Sequence, residues 1–233
     1  MRATLAFATS LFAQNAVVFH EGFESGTKPD GWTQEKVIGT DASPTGAIIN
    51  WQYTDGGYYD YPDHASQGNY NAMFQKESYF RETTKLITPP LELVGKIKPE
   101  LRFEHAQATW YFNGLEYNDE LKVYYKRGAD SSWVLLRSYE EPVEEWVMRS
   151  ILLPDSSLSD TYYIAFEGIT GFGYGTCIDS VRVMETDSIS KYVKSYSIQQ
   201  ASTDFIPTNT TNNPILKIIF EVEGNDDNLY LDS

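Results

Sequence analysis

The chemistry open to this 233-residue chain rests on a few kinds of group: three histidines, one cysteine, a surplus of carboxylates and a loop dense in aromatic rings. His20, His64 and His105 lie far apart and show no HExxH spacing, so a zinc hydrolase would need them to converge from separate strands. A GxSxG nucleophile elbow, a phosphate-cradling P-loop and a dinucleotide fingerprint are all absent. Cys177 falls inside an apolar run with no histidine placed beside it, which reads as a small buried thiol rather than a nucleophile. Carboxylate pairs for glycoside hydrolysis are available, Asp60 and Asp63 beside the aromatic loop among them, but with 33 acids chance pairs are expected.

Three carboxylates stand out for another reason. Glu24 follows the apolar run 17–23, Asp63 closes a loop tract beside His64, and Asp179 interrupts the apolar run 177–183. Aspartate is depleted in strands, and a carboxylate that faces inward needs a partner that compensates its lost hydration. No lysine or arginine adjoins Glu24 or Asp179 in sequence. Hard oxygen ligands drawn from distant segments, with backbone carbonyls of an irregular loop, suit calcium. The alternative for each is a solvated acid or a turn cap. The aromatic residues Trp51, Tyr53, Tyr58, Tyr59 and Tyr61, with Tyr79 and Phe80 after them, form a possible sugar-stacking platform, because flat aromatic faces near hydrogen-bonding groups suit pyranose rings. The alternative is packing over a core with wet hydroxyls.

These groups must be positioned by strands. The dominant pattern is period two, punctuated by turn residues, and no long helical stripe appears. Leu101, Phe103 and His105 alternate with Arg102 and Glu104; Leu121, Val123 and Tyr125 alternate with Lys122, Tyr124 and Lys126. Further strands are expected at 132–139, 145–153, 161–168 and 176–184, joined by turn-forming stretches that include the glycine-rich 168–175. This predicts an all-β chain, a jelly-roll β-sandwich of two antiparallel sheets. Residues 25–72 read as loop-rich, and a long irregular stretch inside a domain is usually functional or held by a ligand or metal.

Composition bounds the partners. With 18 basic and 33 acidic side chains the net charge is −15, a field that repels phosphate backbones and anionic membrane surfaces, so nucleic acid is not expected as a partner. At 41% hydrophobic and 15% aromatic the chain has enough apolar surface to fold. One cysteine makes an internal disulfide impossible. Residues 1–14 carry Arg2, a short apolar stretch and a small-residue site at Ala13, like a secretory leader, with a buried N-terminal strand or helix as the alternative. No later segment approaches the roughly 20 apolar residues needed to span a bilayer, so no membrane insertion is expected. Residues 15–186 then form the main domain. Residues 187–233 read as a linker and the start of a second β unit, with further domains of a longer chain expected beside it, the alternative being a final hairpin that packs on the sandwich.

The order of Phe23-Glu24, Gly31-Trp32, Trp51, Pro62-Asp63-His64-Ala65 and Gly68-Asn69-Tyr70 resembles the opening of MAM domains. Phe166-Glu167-Gly168, Gly171, Gly175 and Ile178-Asp179-Ser180-Val181 are similar to that family's close, and residues 86–93 are similar to choice-of-anchor and cleaved-adhesin relatives in secreted and surface proteins of Bacteroidetes-like bacteria, including gingipain adhesin regions. The resemblance covers roughly residues 17–185. It implies a jelly roll whose first and last strands meet near a structural calcium or sodium ion, with Glu24, Asp63 and Asp179 as leading ligands and Glu21 as a fourth. Paired cysteines of animal MAM domains are missing, and Ser180 stands where a second acid is usual. The resemblance further implies a secreted or cell-surface adhesin that is noncatalytic, with a glycan or an extracellular protein as partner. A glycoside hydrolase or lyase acting through acids at the 51–63 loop, or an accessory module beside such an enzyme or a protease, is the second reading, and a structural spacer the third.

Overall fold

Strand formation follows the alternation. In Pro99–Gln107 the side chains of Leu101, Phe103 and His105 are buried, while Glu100, Arg102 and Glu104 between them are only partly so. A computed structural model of the chain describes residues 16–38, 50–76, 81–154 and 158–185, all within the unit Gln14–Asp187. The leader-like 1–14 and the segment 187–233 lie outside the described residues, as do Tyr79 and Phe80. Among the described residues there are thirteen strands and no helix, hence none long and apolar enough to cross a membrane.

The strands β1 (Ala16–Glu21), β3 (Gln52–Thr54), β4 (Asn71–Phe74), β6 (Pro99–Gln107), β11 (Val143–Leu152) and β13 (Thr176–Glu185) form one sheet. Its order is β11-β6-β13-β4-β3, with β1 also paired to β13. The second sheet takes β2 (Thr33–Ile38), β5 (Thr83–Ile87), β9 (Glu120–Arg127), β10 (Val134–Tyr139) and β12 (Tyr162–Ile169) in the order β10-β9-β12-β5-β2. A separate hairpin joins β7 (Trp110–Phe112) to β8 (Leu115–Tyr117). Every pairing is antiparallel, and the whole is the jelly-roll sandwich that the alternation predicts.

Between the sheets Phe103 meets Phe166 edge to face at 5.1 Å, and Trp51 meets Phe74 at 5.5 Å. Trp32, Phe23, Leu101, Leu121, Ile164 and Val183 complete the same apolar layer. A smaller cluster of Met73, Ala106 and Cys177 is covered by Tyr58 and Trp146. The Trp146 indole N–H donates to the His64 carbonyl at 2.7 Å, which ties the 55–65 stretch down there. Cys177 is the buried thiol that the sequence suggests, and burial pushes its pKa well up.

The described residues of 25–72 hold more regular structure than a loop-rich reading implies, since β2 and β3 fall inside them and β4 begins there. β2 is a polar edge strand, exposed along most of its length, and β4 is buried at all four positions, so neither shows period-two alternation. At the end of β11, Leu152 is 59% exposed and the following Leu153 fully buried. Leu153→Ala is therefore expected to lower the unfolding free energy by about 2–5 kcal/mol, and Leu152→Ala by less than about 0.5 kcal/mol, in urea titrations of the two variants.

Candidate functional site

Two carboxylates, Asp179 buried and Glu24 exposed, organise one end of the sandwich. β13 pairs through Thr176, Cys177 and Ile178 with β4, then through residues 181–185 with β1. The change of partner falls at Asp179 and Ser180, where Ser180 takes φ +49° and the register against β6 shifts. Asp179 is fully buried, and its Oδ2 accepts the Gln67 N–H at 2.9 Å while Oδ1 accepts the Ser180 N–H at 2.5 Å. Glu24 approaches the same loop from the end of β1, its Oε2 accepting the Asn69 N–H at 2.9 Å. Gly68, between these two donors, has φ +71°, and a Cβ there would overlap the Glu24 carboxylate, so the position needs glycine on both counts.

The electrostatics of this junction are unbalanced. Burial, with the charge of Glu24 added, raises the Asp179 pKa to about 6, against the pull of the backbone donors. No described lysine, arginine or histidine forms an ion pair with Glu24 or Asp179. The other expected ligands face elsewhere. Glu21 Oε1 accepts the Phe23 N–H at 2.6 Å, and the Asp63 side chain is 77% exposed with its carboxylate 3.9 Å from His64 Nε2. Among the described residues, no group of three or more histidine, cysteine, aspartate or glutamate side chains is arranged to hold a metal ion. Glu24 and Asp179 are thus two acids that both bond amides of the 66–69 loop, and carboxylate oxygens are ligands of the kind a hard cation takes.

The aromatic loop divides. Trp51 is 2% exposed and belongs to the core, its indole N–H donating to the Thr84 carbonyl at 3.1 Å, so it offers no face to a ligand. Tyr53 is half-buried against Phe23, and its hydroxyl pKa is driven up by burial and then by Glu21. Tyr58 packs over Met73, Ala106 and Cys177. Tyr59 and Tyr61 remain exposed and are joined by Tyr174, which stacks on Tyr61 at 4.7 Å with an interplanar angle of 17° and meets Tyr59 edge-on at 6.2 Å. Sequence reasoning missed Tyr174, which lies more than a hundred residues away from its partners.

Asp119 was also missed. It is buried, and it accepts the N–H groups of Gly171 and Gly175 at 2.6 Å each, with a further bond from Gly173. Burial raises its pKa to about 6 although these donors favour the charged form. The signal that could have found it is the alternation of glycine at 171, 173 and 175, which leaves a row of unobstructed N–H groups in need of an acceptor.

No family model matches the chain, and no curated protein matches it in sequence. Solved structures do match in fold. The K1 cleaved adhesin domain of Lys-gingipain from Porphyromonas gingivalis W83 superposes with a TM-score of 0.52 at 18% identity, covering 72% of this chain and 98% of that one. The K3 domain of the same protease gives 0.48 at 19% identity, covering 72% and 98%. A CBM22-1 xylan-binding domain from Paenibacillus barcinonensis Xyn10C gives 0.47 at 13%, covering 75% and 97%. The first of these places the chain in the fold of cleaved adhesin domains, the fold that the sequence resemblance implies.

Raised carboxylate pKa values fix a pH dependence. Asp119 and Asp179 titrate near 6 when folded and near the ordinary aspartate value of 3.8 when unfolded. Each therefore favours folding fully below about pH 4, and the contribution is lost as pH rises through about 6. In a chelating buffer the urea midpoint is expected to rise from pH 7.5 to pH 5, by about 3 kcal/mol in stability for the two groups together, and Asp179→Asn is expected to reduce that gain.

Proposed function

We propose that this chain is a noncatalytic binding module of an exported or cell-surface protein, that it recognises glycan through the Tyr59, Tyr61 and Tyr174 rings, and that a calcium ion between Glu24 and Asp179 stabilises it. The observation that carries the ligand reading is the stacked Tyr61 and Tyr174 pair with Tyr59 at its edge. Three tyrosines from two loops converge on one exposed site, although a core with Trp32, Phe74 and Phe166 is already filled without them. Tyrosine presents a broad apolar face and a wet hydroxyl with only two side-chain torsions to immobilise. A sugar ring needs both, a flat CH-bearing face against the aromatic ring and hydroxyls that bond at the rim.

The noncatalytic reading follows from the acids beside this platform. Asp60 and Asp63 are exposed on the loop, whereas glycoside hydrolysis needs two carboxylates held in unlike environments. The cation reading follows from the junction. Asp179 is a buried acid close to a second acid, and a divalent ion would offset both the lost hydration and the mutual repulsion. Its task is structural: it would hold the 66–69 loop to the first and last strands.

Two measurements check this reading. Calcium is expected to raise the melting temperature over a chelating buffer, increasingly with concentration, because only the folded state binds it. Asp179→Asn should abolish the response, and an unchanged melting curve in the parent protein would sink the metal claim. On an array of neutral oligosaccharides, Tyr61→Ala and Tyr174→Ala are each expected to weaken binding about tenfold with the fold retained by circular dichroism. Equal binding by both variants would refute the platform.

A further inference from the structure

The hairpin formed by β7 and β8 belongs to neither main sheet, and it is unusually apolar for a projecting element. Trp110 and Phe112 stack at 5.1 Å with planes 11° apart, Trp110 meets Tyr117 at 5.4 Å, and Phe172 closes the group at 4.9 Å from Trp110 and 5.9 Å from Tyr117. Tyr111, Phe112 and Leu115 are more than half exposed. The turn between the strands is Asn113-Gly114, with φ +51° and +76°, the pair that a tight two-residue hairpin requires. Nothing in the core uses these rings: none of them belongs to the apolar layer between the sheets.

What roots the hairpin is the same loop that carries Tyr174. The Tyr174 N–H donates to the Ala108 carbonyl at 3.2 Å, just before β7. Just after β8, Asn118 Oδ1 accepts from the Thr109 hydroxyl at 2.6 Å, and Asp119 takes the amides of Gly171, Gly173 and Gly175. Phe172 and Tyr174 are two residues apart in this clamped loop, so their Cα atoms are no more than about 7 Å apart. One side chain joins the hairpin rings and the other joins Tyr59 and Tyr61. Phe172 adopts φ +71° and Tyr59 φ +53°, conformations that cost bulky residues about 1–3 kcal/mol each and persist where surrounding structure enforces them, often at ligand clamps.

We infer that the Trp110, Phe112, Tyr117 and Phe172 cluster is a second subsite, continuous through the 171–175 loop with the tyrosine platform, and that the occupant is one uncharged, linear polysaccharide spanning both. This rests on the glycan reading above and extends it from a single contact to a chain-binding surface. The net charge of −15 sets the ligand class, because it disfavours uronic-acid or sulfated chains and leaves neutral ones. The rings set the rest: a row of aromatic faces matches a repeating ligand better than a compact one, since each added sugar finds another ring.

The test is calorimetric titration of the intact chain with neutral β-linked glucose, xylose and galactose oligosaccharides of two to six residues. Affinity is expected to rise with length in the parent protein. Phe112→Ala, at an exposed position outside the core, is expected to leave the disaccharide unchanged and to weaken the hexasaccharide about tenfold, and Tyr111→Ala, on the other face of the same strand, to leave both lengths unchanged. Tyr61→Ala is expected to weaken both lengths. If Phe112→Ala binds every length as the parent does, the second subsite is refuted while the platform stands. If no oligosaccharide binds the parent, both are refuted. Preference for a sulfated hexasaccharide over its neutral counterpart, or binding of a proline-rich peptide at the hairpin without any sugar, overturns the assigned ligand class.

Discussion

The central strand β13 exchanges one neighbour for another along a single edge, β4 before Asp179 and β1 after it. A strand that changes partner leaves backbone groups without a ladder at the point of exchange, and buried amides must be bonded somewhere. The Asp179 carboxylate answers this by taking the Ser180 N–H from its own strand and the Gln67 N–H from a loop 112 residues earlier. Glu24 does the same for Asn69. The first described strand, the last one and the 66–69 loop are thus joined by acceptor-only groups. Their cost is that two acids share one end of the sandwich, one of them wholly buried.

The same solution recurs at Asp119, where a buried carboxylate collects the amides of a glycine-rich loop. A chain with one cysteine cannot staple loops covalently, and these carboxylate clamps do the stapling instead. Hydrogen bonds to a charged acceptor are roughly twice as strong as neutral ones. Burial nevertheless raises both pKa values to about 6, so the charged clamps carry a desolvation cost that protonation in mild acid relieves. Cys177 lies in β13 and feels both charges, which together with burial keep its thiol protonated and inert.

What the sequence made legible was whatever depends on local alternation. The strands from β6 and from β9 to β13 fall where period two places them, and Cys177 is buried as its apolar neighbours suggest. β5 was illegible because Lys85 sits at its centre, buried against Glu167 of β12 in a pair that also takes the Tyr124 hydroxyl. A strand with a buried lysine shows no apolar face, and only its partner 82 residues later in the sequence explains it. Trp51 and Tyr53 failed for a related reason. Their composition is that of a surface platform, and what sends Trp51 inward is the Thr84 carbonyl, offered by that same unrecognised β5. The Asn113-Gly114 hairpin, by contrast, carried a plain local signal between aromatic flanks and could have been read.

Residues that act at the rim answer to neither pattern, because their partners are brought in by topology. Tyr174 meets Tyr61 only because β13 returns beside β4 and the 171–175 loop is pinned at Asp119. A flexible loop carrying the same rings would have to order them at each encounter, at about 0.5–1.5 kcal/mol for each immobilised side chain. Here the ordering is done during folding, by a buried carboxylate and two bulky residues, Tyr59 and Phe172, held in left-handed backbone. Stability given up in that way is recovered only if something later uses the fixed geometry. This is why the strained rim, rather than the apolar layer between the sheets, is the part of the molecule that points to a ligand.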